Sequence, residues 1–470
     1  MKKQTLIKSS LVYTLGTLLL QGLNFITLPI YTRVISQEVF GQYSLYTSWV
    51  GLFSLVIGLQ TSGSFVTAKI KFEEEYDSYV SHALTVSTAF AFACLSLVVL
   101  FRTALAAWLG FSELILLLIV IQSYFGYVTG LFGTYFITYQ KATANFFLSA
   151  FTAVTTVGLS LYWISNWQNH LMARILGNFI PLFIATFVAI VFIYTKGKTL
   201  FRKDYLGFTL RVSLPLIFHH LGHQVLNQMD RIMIGKMMTT KDVALYSFGY
   251  NLGLLISLVL LNLNTAWTPW FFEAKKKDYA KLNDYISRYL AVAVFLTLGY
   301  LTIYPELALL MGGSRYAESI HFIPLIIVSY FVSFLYTFPV NIQFYHANTK
   351  TIPVGTLFAG VVNIGLNWFL IPIIGIYGAA LATVLSYLAL LVFHHMISRK
   401  RYAYTDVRPK TYIFLILGVI SYAGLMVLFV PLLWLRWLIG FGVILLYIYW
   451  FRQELREGWQ SYKQRRNWIS

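Results

Sequence analysis

His219, His223 and Asn227 stand four residues apart, so a helix would carry them on one face, with Gln224 and Arg231 along the adjacent stripe. Asp230 precedes Arg231, and the whole group lies in a largely apolar stretch from Leu210 to Ile234. Inside a membrane each ionisable side chain costs roughly 2.5–3.5 kcal/mol at the helix centre, and such residues usually face a polar path. In that setting Arg231 suits an anion and Asp230 would set its position. His219, His220, His223 and Asp230 could carry protons, so coupling to a H+ or Na+ gradient is open. The simpler uses are hydrogen bonds from the histidines to other helices, and an Asp230–Arg231 ion pair near the outer interface. No third ligand accompanies His219 and His223, so no metal site is expected. Pro215 and Gly222 loosen the same helix.

Other polar marks are scattered. Gln21 and Asn24 lie on the first apolar segment and Arg33 closes it; Gln60 ends the second; Asn264 and Trp267 sit in the eighth. With Arg174 they complete the set of residues expected to line or gate a substrate cavity. For Arg33 and Arg174 the competing expectation is an interfacial arginine that snorkels to water. Trp267 could stack on a sugar ring. Catalytic constellations are missing: there is no Walker-type glycine loop and no carboxylate pair suited to glycosyl chemistry. Glu73-Glu74-Glu75 is a solvated charge run. The residues favour carriage, with no enzyme and no cofactor expected.

Helices in a bilayer must position these groups. Among 470 residues 58% are hydrophobic and only 11% charged, too little polar surface for a soluble protein of this size. Fourteen segments, from Ser9–Tyr31 to Trp434–Phe451, reach the ~20 apolar residues that a crossing needs. Alternate breaks collect 27 of the 35 lysines and arginines, as at Lys275-Lys276-Lys277, Arg399-Lys400-Arg401 and Lys463/Arg465/Arg466. The breaks between hold eight: Arg33, Arg102, Arg174, Arg231, Lys236, Lys241, Arg315 and Arg436. That asymmetry places both termini in the cytoplasm. It also turns the formal charge of +18 toward lipid headgroups and away from nucleic acid. Cys94, the lone cysteine, lies in an apolar segment and is read as inert packing.

The two halves share punctuation. Ser36-Gln37-Glu38-Val39 returns as Thr240-Lys241-Asp242-Val243, and Val157-Gly158-Leu159-Ser160 as Ile364-Gly365-Leu366-Asn367, at offsets of 204 and 207. A near-constant offset points to duplication of six helices. Because six is even, the repeats insert in parallel and can enclose a central cavity. The expected organisation is a lobe over 1–204, a second over 205–405, and two further helices with a basic tail over 406–470. The expected fold is all-α and polytopic.

Several stretches resemble Wzx-type polysaccharide flippases of the multidrug/oligosaccharidyl-lipid/polysaccharide (MOP) superfamily. They are Leu28-Pro29-Ile30-Tyr31-Thr32-Arg33 running to Phe40-Gly41, Leu226-Asn227 running to Asp230-Arg231 and Ile234, and Asn363 to Asn367 with Gly378-Ala379-Ala380. The resemblance spans essentially the whole chain and implies MATE-like lobes. It also implies movement of undecaprenyl-diphosphate-linked oligosaccharide from the inner to the outer leaflet of a bacterial plasma membrane, for capsule, exopolysaccharide or O-antigen-type polymers. A monomer among membrane lipids is expected, working beside a polysaccharide polymerase and glycosyltransferases. Asp230 and Arg231 carry over as candidate cavity or gating residues. The first segment lacks the interior arginines expected of a lipid II flippase, which counts against a peptidoglycan precursor. A teichoic-acid precursor and a MATE-type cation antiporter are the alternatives, although the antiporter would want a buried carboxylate in the first lobe.

Overall fold

Hydrogen-bond economy in hydrocarbon permits helices or closed barrels, and this chain uses helices. A computed structural model describes residue 22, residues 25–277 and residues 279–452, and all regular structure among them is helical. Eleven helices are long and apolar enough to cross a membrane, or twelve if one bent pair counts as a span. The all-α polytopic architecture is therefore borne out. Reaching fourteen requires two further segments. The seventh, Lys203–Met237, runs 35 residues but falls short on hydropathy because of its polar row. The first lies largely outside the described residues, with helix over 25–34.

Helix ends follow local chemistry. Ser36 caps Gln37–Ile57 by accepting from the Val39 amide at 3.3 Å, and Ser112 caps Glu113–Thr138 by accepting from Ile115. The second span is broken: Gln37–Ile57 and Thr61–Lys71 meet at 54°. Leu59 and Gln60 both sit in the left-handed region at φ 49°, a conformation that costs non-glycine residues roughly 1–2 kcal/mol each. A buried hydroxyl network offsets that strain. Thr61 Oγ1 meets Tyr127 Oη at 2.6 Å and Ser87 Oγ at 2.8 Å, while Ser87 also donates to the Gly58 carbonyl. Ser64 Oγ meets Tyr79 Oη at 2.6 Å, and Tyr79 continues to Thr209 on the seventh span.

By packing, the chain forms two compact units, one of residues 1–247 with 350–379 and one of 248–349 with 380–470. This grouping differs from the division at 204 and 405 suggested by the repeat. Its cause is the seventh helix, which packs along the second and against the eleventh, Thr351–Ile374. In the first unit, aromatic side chains including Tyr76, Tyr79, Phe132, Tyr135 and Tyr205 fill one end, and Tyr46, Trp49, Leu116 and Ile175 fill the other. At the first of these ends Arg202 reaches Glu75 at 2.8 Å and Asp204 at 2.7 Å. The Tyr205 hydroxyl and Arg202 hold the Glu75 carboxyl below the usual carboxylate range.

In the second unit, the ninth helix, Tyr279–Gly312, packs on the thirteenth and fourteenth, Pro409–Leu428 and Leu433–Trp450. Arg436 is buried and donates to Glu306, which also accepts from Trp437 Nε1 at 3.1 Å. An apolar cavity of about 390 Å³ lies in this unit, lined by Leu255, Phe295, Gly299, Tyr300, Trp437 and Phe441.

Candidate functional site

The polar row of the seventh helix lies in the first unit, and its neighbours on the helix part company. Successive residues on a helix point about 100° apart, so Asp230 and Arg231 meet different partners. Asp230 accepts from Tyr246 Oη at 2.5 Å and from Asn367 Nδ2 at 2.6 Å. Asn367 Nδ2 lies 3.0 Å from Asn363 Oδ1 one turn away on the eleventh span. Arg231 is buried and donates to Gln228 Oε1 at 2.7 Å and to the Asn227 carbonyl. Gln228 Oε1 also accepts from Ser48 Oγ at 2.9 Å, joining the seventh helix to the second.

Close approach explains why the seventh helix can serve two neighbours. A Cβ on Gly222 would lie 2.9 Å from the Leu357 amide nitrogen, so glycine lets the eleventh helix's backbone touch it. On the other side the Gln224 amide packs over Gly51, where a Cβ would fall 2.3 Å from Nε2. His220 and His223 are exposed and His219 is half-buried, with its Nδ1 buried and unpartnered. Asn227 Nδ2 donates to the His223 carbonyl at 2.7 Å and lies 3.1 Å from the ring Nδ1. The stripe of His219, His223 and Asn227 therefore forms as the spacing predicts.

The remaining candidates are dispersed. Arg174 joins the first unit, its guanidinium carbon 3.5 Å above the Tyr31 ring and 4.4 Å from that of Tyr43. Arg33 is exposed and donates to the Pro29 carbonyl at 3.2 Å. Gln60 is half-buried at the break in the second span. Asn264 and Trp267 belong to the second unit. There Asn264 Oδ1 accepts from Asn341 at 3.1 Å, and Trp267 lies flat on Tyr289 at 4.1 Å with its indole N–H buried and unpartnered. Gln21 and Asn24 lie outside the described residues.

Sequence reasoning passed over two groups: Gln228 with Ser48 beside Arg231, and Tyr246, Asn363 and Asn367 beside Asp230. One signal was available: Asn363 and Asn367 stand at i and i+4 in an apolar helix, a costly pairing unless something polar faces it.

Comparison with known proteins places this arrangement. Residues 6–275 match the model of a family described as "Polysaccharide biosynthesis protein". A Haemophilus influenzae protein named "Uncharacterized membrane protein" is 26% identical over 376 residues, 77% of this chain and 89% of the relative. A Shigella dysenteriae protein named "Putative O-antigen transporter" is 23% identical over 304 residues, 63% of this chain and 75% of the relative. Among solved structures, the lipid II flippase MurJ in an inward closed conformation superposes with a TM-score of 0.72 at 15% identity, over 95% of this chain and all of that one. An inward-facing MATE-family multidrug transporter of the MOP superfamily gives 0.67 at 13% identity, over 82% of this chain and 94% of that one. At such identities the structures speak for the fold alone. A polytopic helical chain whose residues 6–275 carry the family pattern and whose fold is that of MOP transporters belongs to the polysaccharide biosynthesis protein family.

Proposed function

We propose that this chain is a flippase that moves undecaprenyl-diphosphate-linked oligosaccharide from the inner to the outer leaflet of a bacterial plasma membrane. The reading rests on the polar seventh helix, which carries three histidines, Asn227, Gln228, Asp230 and Arg231 within a fold shared with transporters. Supporting it are the family match and the name of the Shigella relative. A diphosphate head needs donors and water on its route, and arginine's planar fork matches phosphate oxygens in pairs. The lipid tail needs neither and stays in hydrocarbon. Alternating access would carry the head across, with coupling to a proton or sodium gradient through the buried polar groups.

The test is a leaflet-sidedness assay in proteoliposomes with defined lipid-linked oligosaccharides, run with and without a pH or sodium gradient. Protein-dependent transfer of the glycan to the opposite leaflet is the expected result, and no transfer above empty vesicles would reject the reading. Arg231→Ala and His219→Ala are expected to slow transfer by about 10-fold or more while inserting normally, given ~1.5–3 kcal/mol per charge-assisted hydrogen bond. Wild-type rates in both variants would remove these residues from the path.

A further inference from the structure

Arg174 is held in an unusual way for a half-buried cation. Two aromatic rings hold it: Tyr31 from the end of the first span, at 3.5 Å, and Tyr43 from the start of the second, at 4.4 Å. Its single hydrogen bond among the described residues runs from Nη1 to Ser160 Oγ of the fifth span, Ala142–Asn166, at 3.3 Å. Nε is buried with no acceptor, and Arg174 forms no ion pair with any described residue. A guanidinium has five N–H donors, so most of this one's capacity is unspent. A purely structural buried arginine normally meets carboxylates or carbonyls, because an unsatisfied charged donor away from water is expensive.

The rings that hold Arg174 are themselves fixed. Tyr43 Oη accepts from Asn178 Nδ2 at 3.3 Å, one turn beyond Arg174 on the sixth span, His170–Gly197. Tyr43 stacks on Tyr46, whose hydroxyl donates to Gln122 Oε1 at 2.8 Å. Cation–π contact with two rings restrains the guanidinium and, apart from the bond to Ser160, leaves its N–H donors to meet other groups. A clamped plane with free edge donors is the geometry that meets two phosphate oxygens at once.

We propose that Arg174, clamped by Tyr31 and Tyr43, is an anion site that takes the diphosphate of a polyprenyl-linked substrate within the first unit. This rests on the flippase reading and names one further residue for the substrate head. With basic loops facing the cytoplasm, Arg174 stands at the outer end of its span, on the side where the head arrives after crossing.

The experiment uses the full chain in nanodiscs of zwitterionic lipid, titrated with undecaprenyl diphosphate, undecaprenyl monophosphate and phosphatidylglycerol, with thermal stabilisation as readout. Wild type is expected to bind the diphosphate most tightly. Arg174→Gln should raise its Kd about 10- to 100-fold. Arg174→Lys keeps the charge but loses the fork and should fall between. Unchanged diphosphate affinity in a folded Arg174→Gln or Arg174→Lys protein would overturn the proposal, as would wild-type affinity for phosphatidylglycerol equal to that for the diphosphate. Should Arg174→Gln fail to fold, Arg174→Lys carries the test alone. Arg174-dependent binding by a protein inactive in the sidedness assay would sink the flippase reading and leave the anion site standing. Flipping with Arg174-independent binding would do the reverse.

Discussion

Asp230→Ala is expected to destabilise the folded protein by about 2–6 kcal/mol, because two buried donors lose their acceptor together at about 1–3 kcal/mol each. Tyr246 and Asn367 both point at this carboxylate, and Asn367 is fully buried, so water cannot replace the lost oxygen. The loss should appear as a lower Tm and a smaller monodisperse fraction in detergent, before any transport is measured. Asp230→Asn should fall less: its carbonyl can still accept one bond, while its amide nitrogen meets another donor. A wild-type Tm for the alanine variant would mean that the contact between the seventh and eleventh helices does not depend on Asp230. The prediction also separates two uses of neighbouring residues, since Arg231→Ala removes a bond to Gln228, whereas Tyr246 and Asn367 donate to Asp230.

Gly41→Ala is the second large effect. A Cβ there would lie 1.9 Å from the Thr240 carbonyl oxygen and 3.2 Å from the Ala244 amide nitrogen. Both are backbone atoms of the eighth helix, Thr240–Lys277, so no side-chain rotation can make room. The second helix must move off the start of the eighth, and overpacking of this kind costs about 1–3 kcal/mol, occasionally more. Gly126→Ala is the matched control, since nothing lies within 4 Å of its new methyl. In a helix interior that change should be neutral or gain up to about 1 kcal/mol. Equal Tm values for the two variants would contradict the close approach at Gly41.

Much of this fold was legible as hydropathy. Glu113–Thr138 is the plainest case, because Ser112 caps it and the apolar run stops with it. Other helices outrun their apolar stretch. The seventh extends from Leu210 back to Lys203 and from Ile234 on to Met237, and the eighth runs on through Lys275-Lys276-Lys277. Hydropathy reports transfer to lipid, whereas backbone hydrogen bonding continues through lysines in water, so the two boundaries need not coincide. The candidate site was legible along one helix and not between helices. The i, i+4 spacing gave the stripe of His219, His223 and Asn227. Which neighbour meets which stripe depends on the register of the second and eleventh helices, and a single sequence does not encode that visibly. Asp230 and Arg231 therefore read as a pair, whereas the structure gives Asp230 Tyr246 and Asn367 as partners and Arg231 Gln228.

The break at Leu59–Gln60 also works as a depth gauge. The helix before it has 21 residues, about 31 Å at 1.5 Å each, which already matches a hydrocarbon core of about 30 Å. If Ser36 marks one edge of that core, the turn at 54° would come close to the other, where acyl chains give way to headgroups, with Lys69 and Lys71 ending the short helix beyond it. In a thicker bilayer this elbow would be drawn into oil, exposing strained peptide groups where nothing can hydrate them. Acyl-chain length should therefore tune how firmly the protein sits, through this one joint.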